Sequence, residues 1–198
     1  MESLELHYSR FRFNDDEFYW FCRKNKEQRY ERDANGVATA VPYVGGNTGI
    51  QYANIGFQLQ QWNKEHKLGL VFSSSTTFRL SSSAMRMAVA TFVSHERWEP
   101  LTDKEQEQFP ALCPDFVIEL MRNAARSGSD SLKDAKARMQ NDWMDNGCQS
   151  GWLIDPFNQT IYIYRADGSI QINGSFEQLL SGEDVLPGLE FGLSELVA

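Results

Sequence analysis

The segment at residues 112–156 constrains the fold most, because it has the pattern of a strand, a loop, a helix with a glycine stop, and a second strand. Side chains alternate along a strand, so the first strand should have one open face and one core face. The open face carries Asp115, Val117 and Glu119, and the core face carries Phe116, Ile118 and Leu120. Buried carboxylates are unfavourable unless they are paired or bind metal. Function is therefore expected at this strand.

The rest of the chain predicts an α+β domain with a mixed central sheet flanked by helices. A helix begins near Asn14, where an N-cap and a capping acid occur together, and ends near Lys26. A second helix spans residues 48–67, where apolar residues recur at helical spacing. The helix after the acidic strand ends at Asn146-Gly147. The other predicted strands are 28–32, 37–41, 68–72, 76–80, 87–93, 152–154 and 160–164.

Composition predicts a single domain over residues 1–198, since the 198 residues are 41% hydrophobic without a repeat or linker. An apolar run of about 20 residues, as a membrane span requires, does not occur, and the N-terminus lacks a signal-peptide pattern. Cys22, Cys113 and Cys148 are an odd number without metal-ligand spacing, which indicates reduced thiols. We therefore expect a cytoplasmic protein without a membrane partner.

The net charge of −8 argues against nucleic-acid binding by bulk attraction to phosphate. It does not exclude a nuclease, because a metal-dependent site is itself rich in carboxylates. Phosphate-loop, dinucleotide and nucleophilic-serine motifs do not occur in the sequence, and the histidines lack zinc-site spacing.

The acidic side chains allow two interpretations. Glu119 and Asp115 offer hard oxygen ligands of the kind that Mg²⁺ binds; alternatively, Glu119 forms a structural ion pair with Arg122 or Arg138. Asp115 is a weak candidate, since it lies about 13 Å along the strand from Glu119. On the following helix, Lys133 and Lys136 are further weak candidates for holding a phosphate or polarising a water; a solvated helix face explains them equally well.

Many short segments together resemble the Uma-two family of restriction-endonuclease-like proteins, over nearly the whole chain. The matching segments are Arg29–Glu31, Gly45–Gly49, Gln58-Leu59, Trp62-Asn63, Leu68-Gly69, Phe72–Leu80, Glu96–Glu99, Cys113–Leu120, Met139, Trp143, Asn146-Gly147, Gly151–Pro156 and Leu186–Gly188. The resemblance implies the PD-(D/E)XK nuclease fold, in which Mg²⁺ or Mn²⁺ activates a water for phosphodiester cleavage.

The resemblance also assigns site residues. Glu31 and Glu119 match the family's acids and would be catalytic residues and metal ligands, and Arg138 would be the third catalytic residue. Val89 stands where the family has its central aspartate ligand, and Arg138 stands where it has a lysine. Valine cannot ligate metal, and arginine cannot act as a general base. The link at residues 121–128 is also longer than usual in the family.

Three hypotheses follow. The leading one is a nuclease fold with a degraded metal site, inactive or weakly active, with nucleic-acid or partner binding retained and no metal cofactor. The second is an active Mg²⁺-dependent endonuclease that uses Glu31 and Glu119. The third is a non-catalytic interaction or structural protein, expected to be a homodimer.

Overall fold

The computed structural model describes residues 12–122 and 131–196. The α-helices are α1 (Asp15–Lys24), α2 (Gly46–His66), α3 (His95–Trp98), α4 (Asp103–Glu107) and α5 (Leu132–Arg138). The strands are β1 (Arg29–Arg32), β2 (Ala38–Val41), β3 (Gly69–Ser73), β4 (Phe78–Arg79), β5 (Met85–Arg86), β6 (Ala90–Ser94), β7 (Phe116–Leu120), β8 (Ser150–Asp155), β9 (Thr160–Arg165), β10 (Ile170–Asn173), β11 (Leu180–Ser181) and β12 (Glu190–Phe191).

The central sheet has six strands in the order β10-β9-β8-β7-β6-β3. Only β7 and β8 pair in parallel, with Glu119 opposite Leu153, and the other neighbours are antiparallel. A parallel pair needs a crossover connection, which here contains α5. The small sheet, in the order β2-β1-β5-β4, lies beside it. The predicted mixed sheet flanked by helices is confirmed.

Both faces of the central sheet are covered by apolar layers. On one face, α2 and the C-terminal segment pack on Phe116, Ile118 and Leu120. On the other face, Met139 and Trp143 pack with Val117. The predicted alternation along β7 is correct, but the predicted open face is wrong. Val117 is fully buried, because the helix that follows β7 folds back over it.

The strand predicted at residues 87–93 begins only at Ala90, as β6 of the central sheet. Met85 and Arg86 form β5 in the small sheet, whereas Ala90 begins β6 in the central sheet. Residues 87–89 connect the sheets, and the amide of Val89 donates to the carbonyl of Ile118 at 3.0 Å. This connection brings the small sheet against the carboxyl end of β7.

The helix after β7 changes its winding before it stops. A π-helical turn at Met139–Trp143 follows α5, and a 3₁₀ turn at Met144–Asn146 precedes Gly147. Gly147 has a φ of 102°, so the predicted glycine stop is confirmed. Of the link predicted to be long, residues 123–130 lie outside the described residues.

Two further features bear on the sequence-based expectations. The three cysteines are free thiols, and Cys113 and Cys148 are buried. Within residues 12–122 and 131–196, none of the helices has the length and apolar character needed to cross a bilayer.

Candidate functional site

Three charged side chains from distant parts of the chain meet at the junction of the two sheets. Arg138 donates from Nη1 and Nη2 to the two oxygens of Glu31, at 2.9 and 2.7 Å. Its Nε donates to Oε1 of Glu119 at 2.9 Å. Its Nη2 also donates to the carbonyl of Met87 at 2.7 Å. One guanidinium therefore joins both acids assigned by the family resemblance.

The side-chain alternation of β1 directs Glu31 toward this junction. Tyr30 and Arg32 are buried on the opposite face of the strand, so Arg29 and Glu31 face a cleft of about 400 Å³. The amide of Met87, at the connection between the sheets, donates to Oε1 of Glu31 at 2.8 Å. Glu31 is therefore held by a backbone donor as well as by Arg138.

The π-helical turn places a second donor on Glu119. Trp143 donates from Nε1 to Oε1 of Glu119 at 2.9 Å, and this is the oxygen that also accepts from Arg138. In an α-helix of 3.6 residues per turn, two residues five positions apart point about 140° away from each other. The wider i→i+5 winding of a π turn brings them onto one side. Both Arg138 and Trp143 can then reach one carboxylate.

The charges of the network keep Glu31 and Arg138 ionised. Burial of Glu31 raises the pKa of its carboxyl, but the opposing effects of Arg138, Arg86 and the Met87 amide are larger together, and the pKa lies below its usual value. Burial disfavours the charged form of Arg138, yet the charges of Glu119 and Glu31 raise the pKa of its guanidinium well above the usual value. All three side chains are mostly covered, with 15% of each glutamate and 30% of Arg138 exposed.

A second ion pair borders the first. Arg86 donates from Nε to Oδ2 of Asp142 at 2.7 Å and from Nη1 to the carbonyl of Arg32 at 2.8 Å. Nη1 of Arg138 lies 3.9 Å from the same oxygen of Asp142. The arginines and acids of the junction thus form one network. Arg122 also lines the cleft, and Glu119 accepts a hydrogen bond from Arg138.

The donor set does not fit a divalent metal. Both oxygens of Glu31 and Oε1 of Glu119 accept hydrogen bonds from Arg138. A metal ion at these oxygens would therefore lie beside the guanidinium, which is also positively charged. Val89, which lines the cleft and which the sequence resemblance aligns with the family's aspartate, has no oxygen in its side chain. Among residues 12–122 and 131–196, no three His, Cys, Asp or Glu side chains are grouped to hold a metal ion.

The three weaker candidates lie apart from this network. Asp115 is buried, accepts from Arg97 at 2.7 Å and from the amide of Ser94 at 2.8 Å, and is thus a structural partner. Lys136 lies with Nζ 4.1 Å from the centre of the Tyr162 ring, a cation–π contact. Lys133 is exposed on α5. None of the three is among the described residues that line the cleft.

Sequence reasoning missed several parts of the network. The backbone of Met87 both donates to Glu31 and accepts from Arg138, which a pattern of side chains cannot show. The contact of Trp143 depends on the π turn. The position of Asp142 beside Arg138 had one signal, because Asp142 follows Arg138 by four residues and such side chains are neighbours on a helix. The pairing of Asp142 with Arg86 had none.

Comparison with known proteins agrees with this architecture. A crystal structure of "a putative nuclease belonging to DUF820" from Anabaena variabilis ATCC 29413 is similar, with a TM-score of 0.70 and 19% sequence identity. The match covers 92% of this chain and 96% of that one, and at this identity it shows the shared fold. Among curated proteins, none matches the chain. The model of the Uma2 family, described as "Putative restriction endonuclease", matches residues 15–194. The chain therefore belongs to the Uma2 family.

Proposed function

We propose that this protein is a Uma2-family member in which the network of Arg138, Glu31 and Glu119 takes the place of a metal site, so that it does not carry out metal-dependent phosphodiester cleavage. The observation that carries the proposal is the single guanidinium bound to both acids. The position of Val89 supports it, because the cleft lacks the carboxylate that the family places there.

The strength of the ion pair supports the same conclusion. Arg138 makes three charge-assisted hydrogen bonds to the two glutamates, and each such bond contributes about 1.5–3 kcal/mol. A Mg²⁺ ion that used these oxygens would first have to displace the guanidinium, which is also bound to the carbonyl of Met87. Mg²⁺ also loses its own water molecules reluctantly. Competition at these oxygens therefore favours arginine.

The test is cleavage of plasmid DNA and of RNA by the purified protein in Mg²⁺ or Mn²⁺. We expect no metal-dependent cleavage by the wild type, because it lacks both the aspartate and the lysine that the family resemblance implies. Val89→Asp and Arg138→Lys should also be inactive, because each restores only one of these two residues. The double variant Val89→Asp/Arg138→Lys should gain cleavage. The matched control is Val89→Asn/Arg138→Lys, which has a side chain of the same shape without the charge. Wild-type cleavage that Glu119→Ala abolishes would refute the proposal and favour an active endonuclease.

Calorimetric titration with Mn²⁺ separates binding from catalysis. The wild type should show no binding at millimolar metal, and the double variant should bind, because it has a third carboxylate and a shorter cationic side chain. Circular dichroism of each variant controls for folding. Saturable binding to the wild type that Glu31→Gln and Glu119→Gln each remove would contradict the proposal.

Nucleic acid stays a predicted partner, and we propose that its binding is weak. The cleft is lined by Arg29, Arg122 and Arg138 but also by four acids, Glu31, Glu119, Asp134 and Asp142. Fluorescence anisotropy of a labelled oligonucleotide at low and at physiological salt is the measurement. Tight binding that persists at physiological salt would contradict this expectation. We also propose a cytoplasmic location, which the three free thiols support.

A further inference from the structure

The outer face of α2 lacks the charge that a solvated helix normally carries. From Gly46 to Asn63 the helix contains no Asp, Glu, Lys or Arg, although these residues are 23% of the chain. A surface helix of a globular protein usually has charged residues opposite its apolar stripe. The outer face of α2 is therefore poorly suited to permanent contact with water.

This outer face carries large apolar side chains. Ile50 and Phe57 are 61% and 65% exposed, and the exposed Ala53 lies between them on the same face of the helix. The inner face is apolar too, since Ile55 and Leu59 pack in the core. One side of α2 is covered by the protein itself, whereas on the other side the apolar row of Ile50, Ala53 and Phe57 is exposed beside uncharged polar side chains. A partner that covered this row would remove its apolar area from water.

We propose that the outer face of α2 is a homodimer interface, covered by the α2 of a second copy in an antiparallel, two-fold arrangement. In a two-fold contact, if one residue touches a second, the second touches the first across the axis. Ile50 and Phe57 are equally spaced about a point next to Ala53. With the axis there, Ile50 packs on the partner's Phe57 and Phe57 on the partner's Ile50. The small side chain of Ala53 permits close approach of the two helices.

The glycines of the helix are compatible with this packing. A Cβ added to Gly49 or Gly56 would meet nothing within 4 Å, so neither residue is required by packing within the protein. Glycine in a helix interior is unfavourable by about 0.5–1 kcal/mol relative to alanine. Two such residues on one helix leave space beside Ile50 and Phe57 that the protein itself does not fill.

Charge identifies a second copy as the occupant. Each chain has a net charge of −8, so association of two copies through a typical charged face brings like charges together. Between Gly46 and Asn63 the outer face of α2 avoids this repulsion, because this part of the helix has no charged residues. A basic partner would gain nothing from an uncharged face, whereas an identical helix matches it in both shape and polarity.

The dimensions of the helix set the expected affinity. With 21 residues, α2 is about 32 Å long, and a helix is about 10 Å wide. This footprint is smaller than the roughly 800 Å² per partner of a standard interface. The exposed Leu179 extends it, because its side chain and that of Gln58 on α2 both approach Gly192. We therefore expect a dimer that dissociates at micromolar rather than nanomolar concentration.

Sedimentation velocity of the full chain across a range of concentrations tests the proposal. The wild type should shift from monomer to dimer with rising concentration, and Phe57→Glu should remain monomeric because it places a carboxylate at the contact. The matched control is Ile172→Glu on β10, where the wild-type side chain is 60% exposed. A wild type that is monomeric at every concentration overturns the proposal. A dimer lost in Ile172→Glu but kept in Phe57→Glu also overturns it.

Cross-linking tests the position of the axis. In a Cys22→Ser background, the remaining native cysteines are buried. Ala53→Cys should then form an intermolecular disulfide under mild oxidation, because a residue at a two-fold axis meets its own copy. The control, Ile172→Cys, should cross-link only slowly. Equal rates for the two variants would refute the two-fold arrangement, and circular dichroism shows that each variant is folded.

Discussion

Replacing Arg138 by methionine leaves two acids in the cleft without their cation. Removing one partner of a buried ion pair reduces stability by about 3–5 kcal/mol. The two glutamates are 15% exposed, so water can reach them in part, and the lower end, about 3 kcal/mol, applies. For a chain of 198 residues, 1 kcal/mol changes the Tm by about 2–4 °C. Arg138→Met should therefore lower the Tm by about 6–12 °C.

The effect of this substitution should depend on pH with a defined sign. In the wild type, the pKa of Glu31 is lowered in the folded state, so its contribution to stability is present above its unfolded pKa and is lost as the pH falls through the lowered value. Without Arg138, burial raises the pKa of Glu31, and protonation no longer destabilises the fold. The difference in the free energy of unfolding between wild type and Arg138→Met should therefore narrow from pH 7 to pH 4.

Urea denaturation followed by circular dichroism at pH 7, 5.5 and 4 measures both quantities. The matched control is Arg165→Met, because Arg165 binds the two oxygens of Glu183 with a similar geometry, at 2.5 and 2.7 Å, on the surface. Exposed pairs contribute about 0.2–1 kcal/mol, so the control should lose no more than that. A loss below 1 kcal/mol for Arg138→Met, or a difference that widens on acidification, would refute the reasoning.

Three further predictions concern other parts of the fold. Trp143→Phe should reduce stability by about 1–3 kcal/mol, because Glu119 loses an indole donor; a smaller loss would mean that the π turn is not needed for the network. Gly69→Ala should prevent stable folding, since its Cβ would lie 2.1 Å from a backbone carbonyl of β6, whereas Gly56→Ala, which meets open space, should stabilise the protein by about 0.5–1 kcal/mol. Denaturation curves compare the two, and equal effects would contradict the packing. Burial raises the pKa of Cys22 to about 11, so its alkylation rate should still be rising at pH 10; a plateau near pH 9 would disprove this.

The alternation of side chains along β7 could be predicted from sequence because a strand has only two faces. Whether a face is open could not, since that depends on what packs on it. Val117 is covered by a helix that begins more than ten residues later in the chain. The identity of the sheet also depends on tertiary pairing: Met85 and Ala90 lie close together in sequence, yet they belong to different sheets.

At the candidate site, too, some contacts could be predicted from sequence and others could not. A structural ion pair of Glu119 with Arg138 was one of two interpretations of the sequence, and the structure contains that pair. The participation of Glu31 followed only from the family resemblance, because sequence spacing alone does not relate a residue of β1 to one of α5. The contributions of Met87 and Trp143 depend on a backbone position and on a change of helical winding. Neither has a counterpart in hydrophobic periodicity.

The long sequence separation across the network has a consequence for folding kinetics. Arg138 and Glu31 are 107 residues apart, and contacts between distant residues form slowly because a long loop must close first. We therefore expect the network to close only after both sheets have assembled. Substitutions in it should leave the folding rate nearly unchanged and increase the unfolding rate. We therefore expect these three side chains to prolong the time that an individual molecule remains folded.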